Sequence, residues 1–369
     1  MLNSTDVFVI GGGPAGLAAA IAARRQGFRV VVADGAKPPI DKACGEALMP
    51  DATAALNQLG VTLSAADACP VRGVRFLASG LAAEADFPAG NAGLSIRRTT
   101  LHRILTERAQ GLGVDLLWES VVTGIAQQSV RLGNRNVRAS WIIGADGSNS
   151  RVRTWASLAP RSLTGARYSF RRHYRLRPWT DRLEIYWGKH SQGYMTAVSG
   201  DEICVAVASR DPGLRLEKSL SDFPDLNRQL SGAAATSIER GALTANRQLQ
   251  RVWRGNVALV GDASGTVDAI TGDGLGLSFS QAAVLANCLR RGNLSGYQTA
   301  HRRLSFRPLW MARWMLMLDG RPGMQRRTLQ VLRKHPDVFR RLLALHVGNL
   351  SPLHLTLDGL TLGWGLLSP

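Results

Sequence analysis

Two short apolar runs, Asp6–Ile10 and Phe28–Ala33, bracket an alanine-rich stretch near the amino end. Unbroken β-branched runs predict strands buried on both faces, as in a parallel sheet. Between them Gly11–Gly13 forms a glycine turn, and Pro14 to about Gln26 reads as a helix capped by Gly27. Asp51–Leu59 and Thr100–Gln110 are predicted helices, the second with Leu101, Ile104 and Leu105 on one face. Val114–Trp118, Val121–Ile125 and Trp141–Ile143 are predicted strands, and Val74–Phe87 alternates like a strand interrupted at Gly80. From about Ser169 to Ser209 the pattern changes. Arg171–Arg177, Leu183–Trp187, Tyr194–Val198 and Ile203–Ala208 show period-two alternation separated by turns, which predicts an antiparallel sheet. Val257–Val260 returns to the buried parallel type, and Leu275–Leu289 is a strong helix. Beyond Gly292 the chain is arginine-rich and helical in pattern, with Trp310, Met311, Trp314, Met315 and Met317 close together.

Three motifs sit at the ends of the predicted parallel strands. The first is Gly11-x-Gly13-x-x-Gly16, with a strand before it, a helix after it and a second strand on schedule. In a dinucleotide site Gly11 permits the tight turn, Gly13 lets a pyrophosphate approach the backbone, and Gly16 lets helix and strand pack closely. The helix amino end, with Pro14 and Ala15 opening it, offers its N–H groups and positive dipole end to phosphates. Asp34 ends the second strand, placed for the ribose hydroxyls, and its charge disfavours a 2′-phosphate. The second motif is Gly144-Ala145-Asp146-Gly147-Ser148-Asn149-Ser150-x-Val152-Arg153. The third is Gly261-Asp262-Ala263 followed by Gly272-Asp273-Gly274-Leu275-Gly276, which opens a long helix. Such a helix end stabilises negative charge on a reduced flavin.

The predicted fold class is therefore α/β. A Rossmann-type dinucleotide-binding domain, suited to FAD or NAD better than to NADP, is assembled from 1–75, 97–160 and 245–292. An inserted antiparallel β-sheet substrate domain comprises 76–96 and 161–244, and C-terminal helices occupy 293–369. A chain of 369 residues, 45% hydrophobic and 20% charged, supports cores of that size. The formal net charge is +18, nearly all arginine. With no nucleic-acid motif and no basic run interleaved with aromatics, nucleic acid is not the expected partner. Cys44, Cys69, Cys204 and Cys288 are scattered, with no Cys-x-x-Cys pair. No metal site or disulfide framework is expected, and a reducing cytoplasm fits. The amino end reads as having no signal peptide, and no apolar stretch approaches the roughly 20 residues of a spanning helix.

In order and spacing the three motifs, with Arg98 in Arg98-Thr99-Thr100-Leu101, resemble the p-hydroxybenzoate hydroxylase and geranylgeranyl reductase superfamily of flavoproteins over residues 5–290. That resemblance implies FAD, with NADPH or NADH as electron donor. It implies that Gly11, Gly13, Gly16 and Asp34 bind the ADP half, and that Lys42 and Arg98 neighbour the phosphates or ribityl chain. Asp146 belongs to the motif serving both FAD and nicotinamide. Asp262 is implied at the ribityl or pyrophosphate region, and Gly272–Gly276 facing the isoalloxazine ring. Lys42-Ala43-Cys44-Gly45-Glu46-Ala47-Leu48-Met49-Pro50, Tyr194–Val198 and Val267–Gly274 are also similar to a narrower group of FAD-dependent oxidoreductases. Here Ala197 stands where proline is common and Asp273 where glutamate is common, and the first change bears on the substrate wall.

Two reactions follow from the resemblance. The first is monooxygenation, in which an apolar, aromatic or polyketide-like small molecule is hydroxylated or epoxidised with O₂. The alternative is reduction of carbon–carbon double bonds in an isoprenoid or other lipid, for which the Lys42–Gly45 element speaks. Cys44 then reads either as a thiol beside the flavin or as a small buried residue of a tight loop. Tyr194 is the second catalytic candidate, because it begins a matching stretch. His173, after Arg171 and Arg172, reads as surface. The segment from Leu304 reads either as a helical cap or as a peripheral membrane contact.

Overall fold

The computed structural model of the protein describes residues 3–158 and 160–350, without the side chains of 160–164. The part of the predicted carboxyl-terminal segment beyond residue 350 lies outside them.

The amino-terminal strand β1 (Ser4–Ile10) lies at the centre of the first sheet. Helix α1 (Pro14–Arg25) follows, then β2 (Val30–Ala33). β1 pairs in parallel with β2 on one side and with Arg135–Gly144 on the other. Asp115–Leu117 extends the sheet beyond β2, and Val257–Leu259 extends it beyond Arg135–Gly144. Alternation along β1 divides the core. Val7 and Val9 pack on the α1 side with Leu17, Ala18 and Ile21, while Phe8 and Ile10 face Ile142, Val152 and Leu259. The fold class is thus the expected α/β arrangement, with its glycine turns at the carboxyl ends of parallel strands.

The second sheet is mostly antiparallel. Its order runs Ala234–Ala235, Pro160–Arg175, Glu202–Ser209, Ser191–Ala197, Arg182–Trp187, Gly73–Ala78 and Leu81–Asp86, with Arg240–Leu249 also on Pro160–Arg175. The stretch broken at Gly80 is a hairpin, joined to the sheet by the parallel pairing of Gly73–Leu77 with Arg182–Tyr186. One face of the sheet is covered by Leu216, Leu220, Phe223, Leu226 and Leu230, from short helices between residues 216 and 229 and the turn after them. The other face looks toward the first sheet. Its far end packs on the helices Pro322–Lys334 and Pro336–His346 through Phe76, Trp187, Leu329 and Phe339.

Helix Leu294–Leu318 fastens the turn after Val257–Leu259. Tyr297 donates its hydroxyl to the Leu259 carbonyl at 2.7 Å. His301 Nε2 lies 2.9 Å from Ser264 Oγ and 3.0 Å from Gln281 Nε2, and Gln281 Oε1 accepts the Gly261 N–H at 2.8 Å. Burial lowers the His301 pKa to about 4, and burial also lowers that of His102. A histidine kept neutral in the folded state binds its proton first in the unfolded state. Its contribution is complete above the unfolded pKa near 6.5 and is lost as pH falls toward 4. Stability should therefore drop by up to about 3 kcal/mol over that window on account of His301 alone. The check is urea unfolding at neutral and at mildly acidic pH, in which His301→Gln should show a smaller loss between the two than the parent protein.

Candidate functional site

A cavity of about 550 Å³ lies between the two sheets, within the size range of cofactor sites. Its floor is the turn after β1. Gly11 there has φ +109°, and a Cβ on it would fall 2.5 Å from the Ala145 carbonyl oxygen. A Cβ on Gly16 would lie 1.8 Å from the Gly11 oxygen, so only glycine lets α1 start this close to the strand. Helix α1 has Gly13 as N-cap and no side-chain capping bond, with Pro14 at its first position. Nothing stands within 4 Å of where a Gly13 Cβ would be, so the backbone is open to the cavity. Helix Gly274–Arg290 repeats the arrangement: no side chain caps its amino end, and nothing lies within 4 Å of a Cβ on Gly274. Two helix amino ends thus present unpaired N–H groups to one cavity, which suits an anionic ligand at both. Lys42, Arg98 and Arg151 add positive charge to its wall.

The expected site residues converge. Gly11, Gly13, Pro14, Ala15, Asp34, Lys42, Cys44, Gly45, Arg98, Asp146, Tyr194, Asp262, Gly272, Gly274 and Leu275 all line the cavity. Gly16, Asp273 and Gly276 do not line it. Gly16 acts through its contact between helix and strand. A Cβ on Gly276 would meet Ala52 at 2.9 Å, so Gly276 serves packing between helix Gly274–Arg290 and Pro50–Gln58. The Asp273 carboxylate is buried and turned toward the His346 ring, 3.6 Å away.

Asp34 accepts from the Gly12 N–H at 2.7 Å and the Ala36 N–H at 2.8 Å, which fixes its carboxylate at the cavity edge. Asp262 is bridged to Lys42 at 2.7 Å, both half-exposed at the rim. The Asp146 carboxylate is occupied by its own loop. It accepts from the Ser150 hydroxyl and from the N–H groups of Arg151 and Val152, capping the short helix Arg151–Trp155. Arg153, from the same helix, donates to the Ser148 and Ala263 carbonyls and ties the second motif to the third.

The Lys42–Pro50 stretch carries an unforeseen network. Glu46 is 2% exposed and has φ +62°, a left-handed conformation unusual for a residue with a side chain. Its side chain holds it there. Oε1 accepts the Arg98 N–H at 3.0 Å, and Oε2 lies 2.7 Å from His173 Nε2. His173, read from the sequence as surface, is instead 1% exposed. The alternation of strand Pro160–Arg175 puts Arg167, Arg171 and His173 on one inward face. Arg171 Nη1 lies 3.1 Å from His173 Nδ1 and its other arm donates to Asp41. Arginine only donates, so Nδ1 accepts and the ring proton sits on Nε2, directed at Glu46. By spacing, Glu46, His173 and Cys204 could surround a cation, but this tautomer leaves no lone pair on Nε2 for one.

Cys44 lies on the cavity wall, its Sγ accepting the Glu46 N–H at 3.3 Å. Below it, burial pushes the Cys204 thiol pKa up, which makes that group an inert neighbour. Tyr194 stands on the sheet above. Burial raises its phenol pKa, so it stays a protonated donor. Leu183, Ile185 and Ala206 make the rest of that wall apolar. Buried Arg167 pairs with Asp268 at 2.9 Å and reaches Gln192 at 3.2 Å, locking the sheet to the 267–272 loop.

If Glu46 is the post of this loop, Glu46→Ala should lower stability by about 2–4 kcal/mol. It orphans a buried N–H and a buried imidazole while keeping the strained backbone. Glu46→Gln retains one acceptor and should cost less. Thermal unfolding of the two variants should rank them in that order, and equal shifts would contradict it.

The family model described as FAD binding domain matches residues 4–294. The menaquinone reductase of Mycolicibacterium smegmatis (strain ATCC 700084 / mc(2)155) is 30% identical over 335 residues, 81% of this chain and 80% of that protein. A putative 2-heptyl-3-hydroxy-4(1H)-quinolone synthase of Rhodococcus erythropolis is 26% identical, covering 90% of this chain and 93% of its own. Among solved structures, a flavoprotein/dehydrogenase from Cytophaga hutchinsonii shares the fold, with TM-score 0.81 at 18% identity over 94% of this chain and 93% of that one. The open glycine cradles and paired helix ends fit the cofactor the family is described by. The chain therefore belongs to the FAD-binding-domain family, and is an FAD-dependent oxidoreductase of the p-hydroxybenzoate hydroxylase and geranylgeranyl reductase superfamily.

Proposed function

We propose that this enzyme reduces carbon–carbon double bonds of an apolar, isoprenoid-type molecule, with NADPH or NADH as the source of electrons. The observation that carries the reading is the Cys44 thiol on the wall of a cavity whose sheet side is apolar, onto which the helix end at Gly274 also opens. The reductase names of the Mycolicibacterium relative and of a digeranylgeranylglycerophospholipid reductase from Methanopyrus kandleri, 27% identical over 73% of this chain, support it.

FAD, when bound, supplies a hydride to one alkene carbon. Everything else falls to the chain. The helix end at Gly274 favours negative charge at the cofactor edge. Asp34, Lys42 and Asp262 orient the cofactor from the rim. Leu183, Ile185 and Ala206 exclude water from the alkene. Cys44 gives its proton to the second carbon and is reprotonated from solvent. The sum is one alkene, one reduced nicotinamide and one proton going to one alkane and one oxidised nicotinamide. The nicotinamide donor visits the same cavity, since the chain has a single glycine cradle of this type after a strand.

Oxygenation is the second reading, and the Rhodococcus relative favours it. There, O₂ and the reduced nicotinamide yield a hydroxylated product and water on the same apolar wall.

Oxygen separates the two. With an isoprenoid quinone or a polyprenyl lipid as substrate, anaerobic turnover with a product heavier by two hydrogens supports reduction. Strict dependence on O₂, with labelled oxygen in the product, ends it. Cys44→Ser should keep FAD but lose most of the turnover with the alkene, and near-full activity in that variant argues against the proton transfer. Asp262→Ala tests the rim separately: it should weaken FAD binding to the apo-protein by roughly 5–100-fold, the equivalent of one or two hydrogen bonds. Cofactor fluorescence quenching reads that affinity, and an unchanged titration would remove Asp262 from the site.

A further inference from the structure

The outer face of helix Leu294–Leu318 carries a row of residues that the redox chemistry does not use. Phe306 is 63% exposed, Trp314 43% and Met317 43%, among the few large apolar side chains left open in the described residues. Trp310 stands between them, its ring 5.8 Å from that of Trp314. Positions 306, 310, 314 and 317 follow helical spacing and make one stripe. The opposite face holds Tyr297, His301, Ser305 and Ala312, all buried. Cations border the stripe: Arg302, Arg303 and Arg313 are exposed on the same helix, and Arg326 and Arg333 on the next. Between residues 294 and 334 the sequence has nine arginines and lysines, Arg302, Arg303, Arg307, Arg313, Arg321, Arg326, Arg327, Arg333 and Lys334, against a single acid, Asp319.

We infer that this face seats the enzyme on an anionic membrane surface, with Phe306, Trp310, Trp314 and Met317 in the headgroup region and the arginines on lipid phosphates. Aromatic and aliphatic groups on one side of a helix with arginines around them suit an interface, where rings partition and cations meet anionic headgroups. Charge selects the occupant. A second copy of this chain, itself +18, would bring like charge to like, whereas an anionic bilayer complements it. No helix of the described residues is long and apolar enough to cross a membrane, so the contact is peripheral. The inner side of the same helix reaches the site: His301 meets Ser264, Arg307 pairs with Asp51 at 2.6 Å, and Leu318 packs in the cluster containing Tyr194. A lipid-borne substrate would thus meet the protein beside its cavity. The inference does not depend on which reaction the cavity runs.

The test is co-sedimentation of the full-length, FAD-loaded protein with phosphatidylcholine vesicles, with and without phosphatidylglycerol. Binding is expected to the anionic vesicles only, and to fall steeply as salt is raised. Phe306→Ser, Trp314→Ser and Met317→Ser together should reduce partitioning by about tenfold or more, since they remove most of the inserted apolar surface. The same triple variant should bind FAD as the parent does. Quenching of tryptophan fluorescence by brominated anionic lipid should diminish in Trp314→Phe. The protein staying in the supernatant with anionic vesicles overturns the inference. So does equal binding by the triple variant, or a parent dimer that the variant converts to monomer, which would assign the stripe to a second copy.

Discussion

Two helices must begin at one cavity with their amino ends uncapped, and most of the fold serves that requirement. An N-terminal turn without a side-chain partner forgoes about 1 kcal/mol of capping and leaves N–H groups unpaired. The first end is secured by backbone contact alone, since Gly16 and Gly11 touch where any side chain would collide. The second end is left open by the residue before it. Asp273 occupies the N-cap of helix Gly274–Arg290, yet its carboxylate makes no capping bond and lies 3.6 Å from the His346 ring. Nearby, burial and the Asp273 charge raise the Asp51 pKa, opposed by Arg307 and His346. These groups come from helices that follow the cofactor motifs in sequence. The carboxyl-terminal helices therefore keep a potential cap away from an end that has to face a ligand.

The parts set by backbone geometry were legible in the sequence. A Gly-x-Gly-x-x-Gly turn between buried strands points to a dinucleotide cradle, and the predicted β1, α1 and β2 form as expected. The period-two stretches from Arg171 to Ala208 become sheet strands, although the first is the end of a longer strand, Pro160–Arg175. What was hidden depended on which distant element lay opposite. His173 follows two arginines, so local composition points outward; only the pairing of its strand reveals that it faces Glu46, 127 residues away. Arg167, Arg171 and His173 do share one parity along the strand, a signal that alternation offers but that basic side chains disguise. Asp146 and Asp273 were legible as motif members, but their carboxylates are turned to a helix cap and to His346. The short helices between 216 and 229 show too little periodicity to be read locally, and they form because Leu216, Phe223 and Leu226 find the outer face of the sheet.

The two halves of the cavity are built on different physical terms. On the side of the glycine turns, open backbone and helix ends form the surface, so side-chain changes there are tolerated only where no atom touches the turn. On the sheet side, alternating strand residues form the wall, and its apolar inward residues, Leu183, Ile185 and Ala206, are held by packing and not by side-chain hydrogen bonds. That separation lets one family hold members named as reductases and a member named as a quinolone synthase. In this chain the halves are nevertheless joined by buried charge. The Arg167–Asp268 pair is at most 1% exposed and spans the sheet and the 267–272 loop, and Glu46 with His173 spans the Cys44 loop and the same strand. Removing one partner of such a pair leaves an uncompensated buried charge or an unpaired polar group, which costs far more than a worn apolar contact. A shift of the second sheet relative to the Cys44 loop or to the 267–272 loop is therefore resisted at two points on one strand. The position of Cys44 against the second sheet is a property of that strand as much as of its own loop.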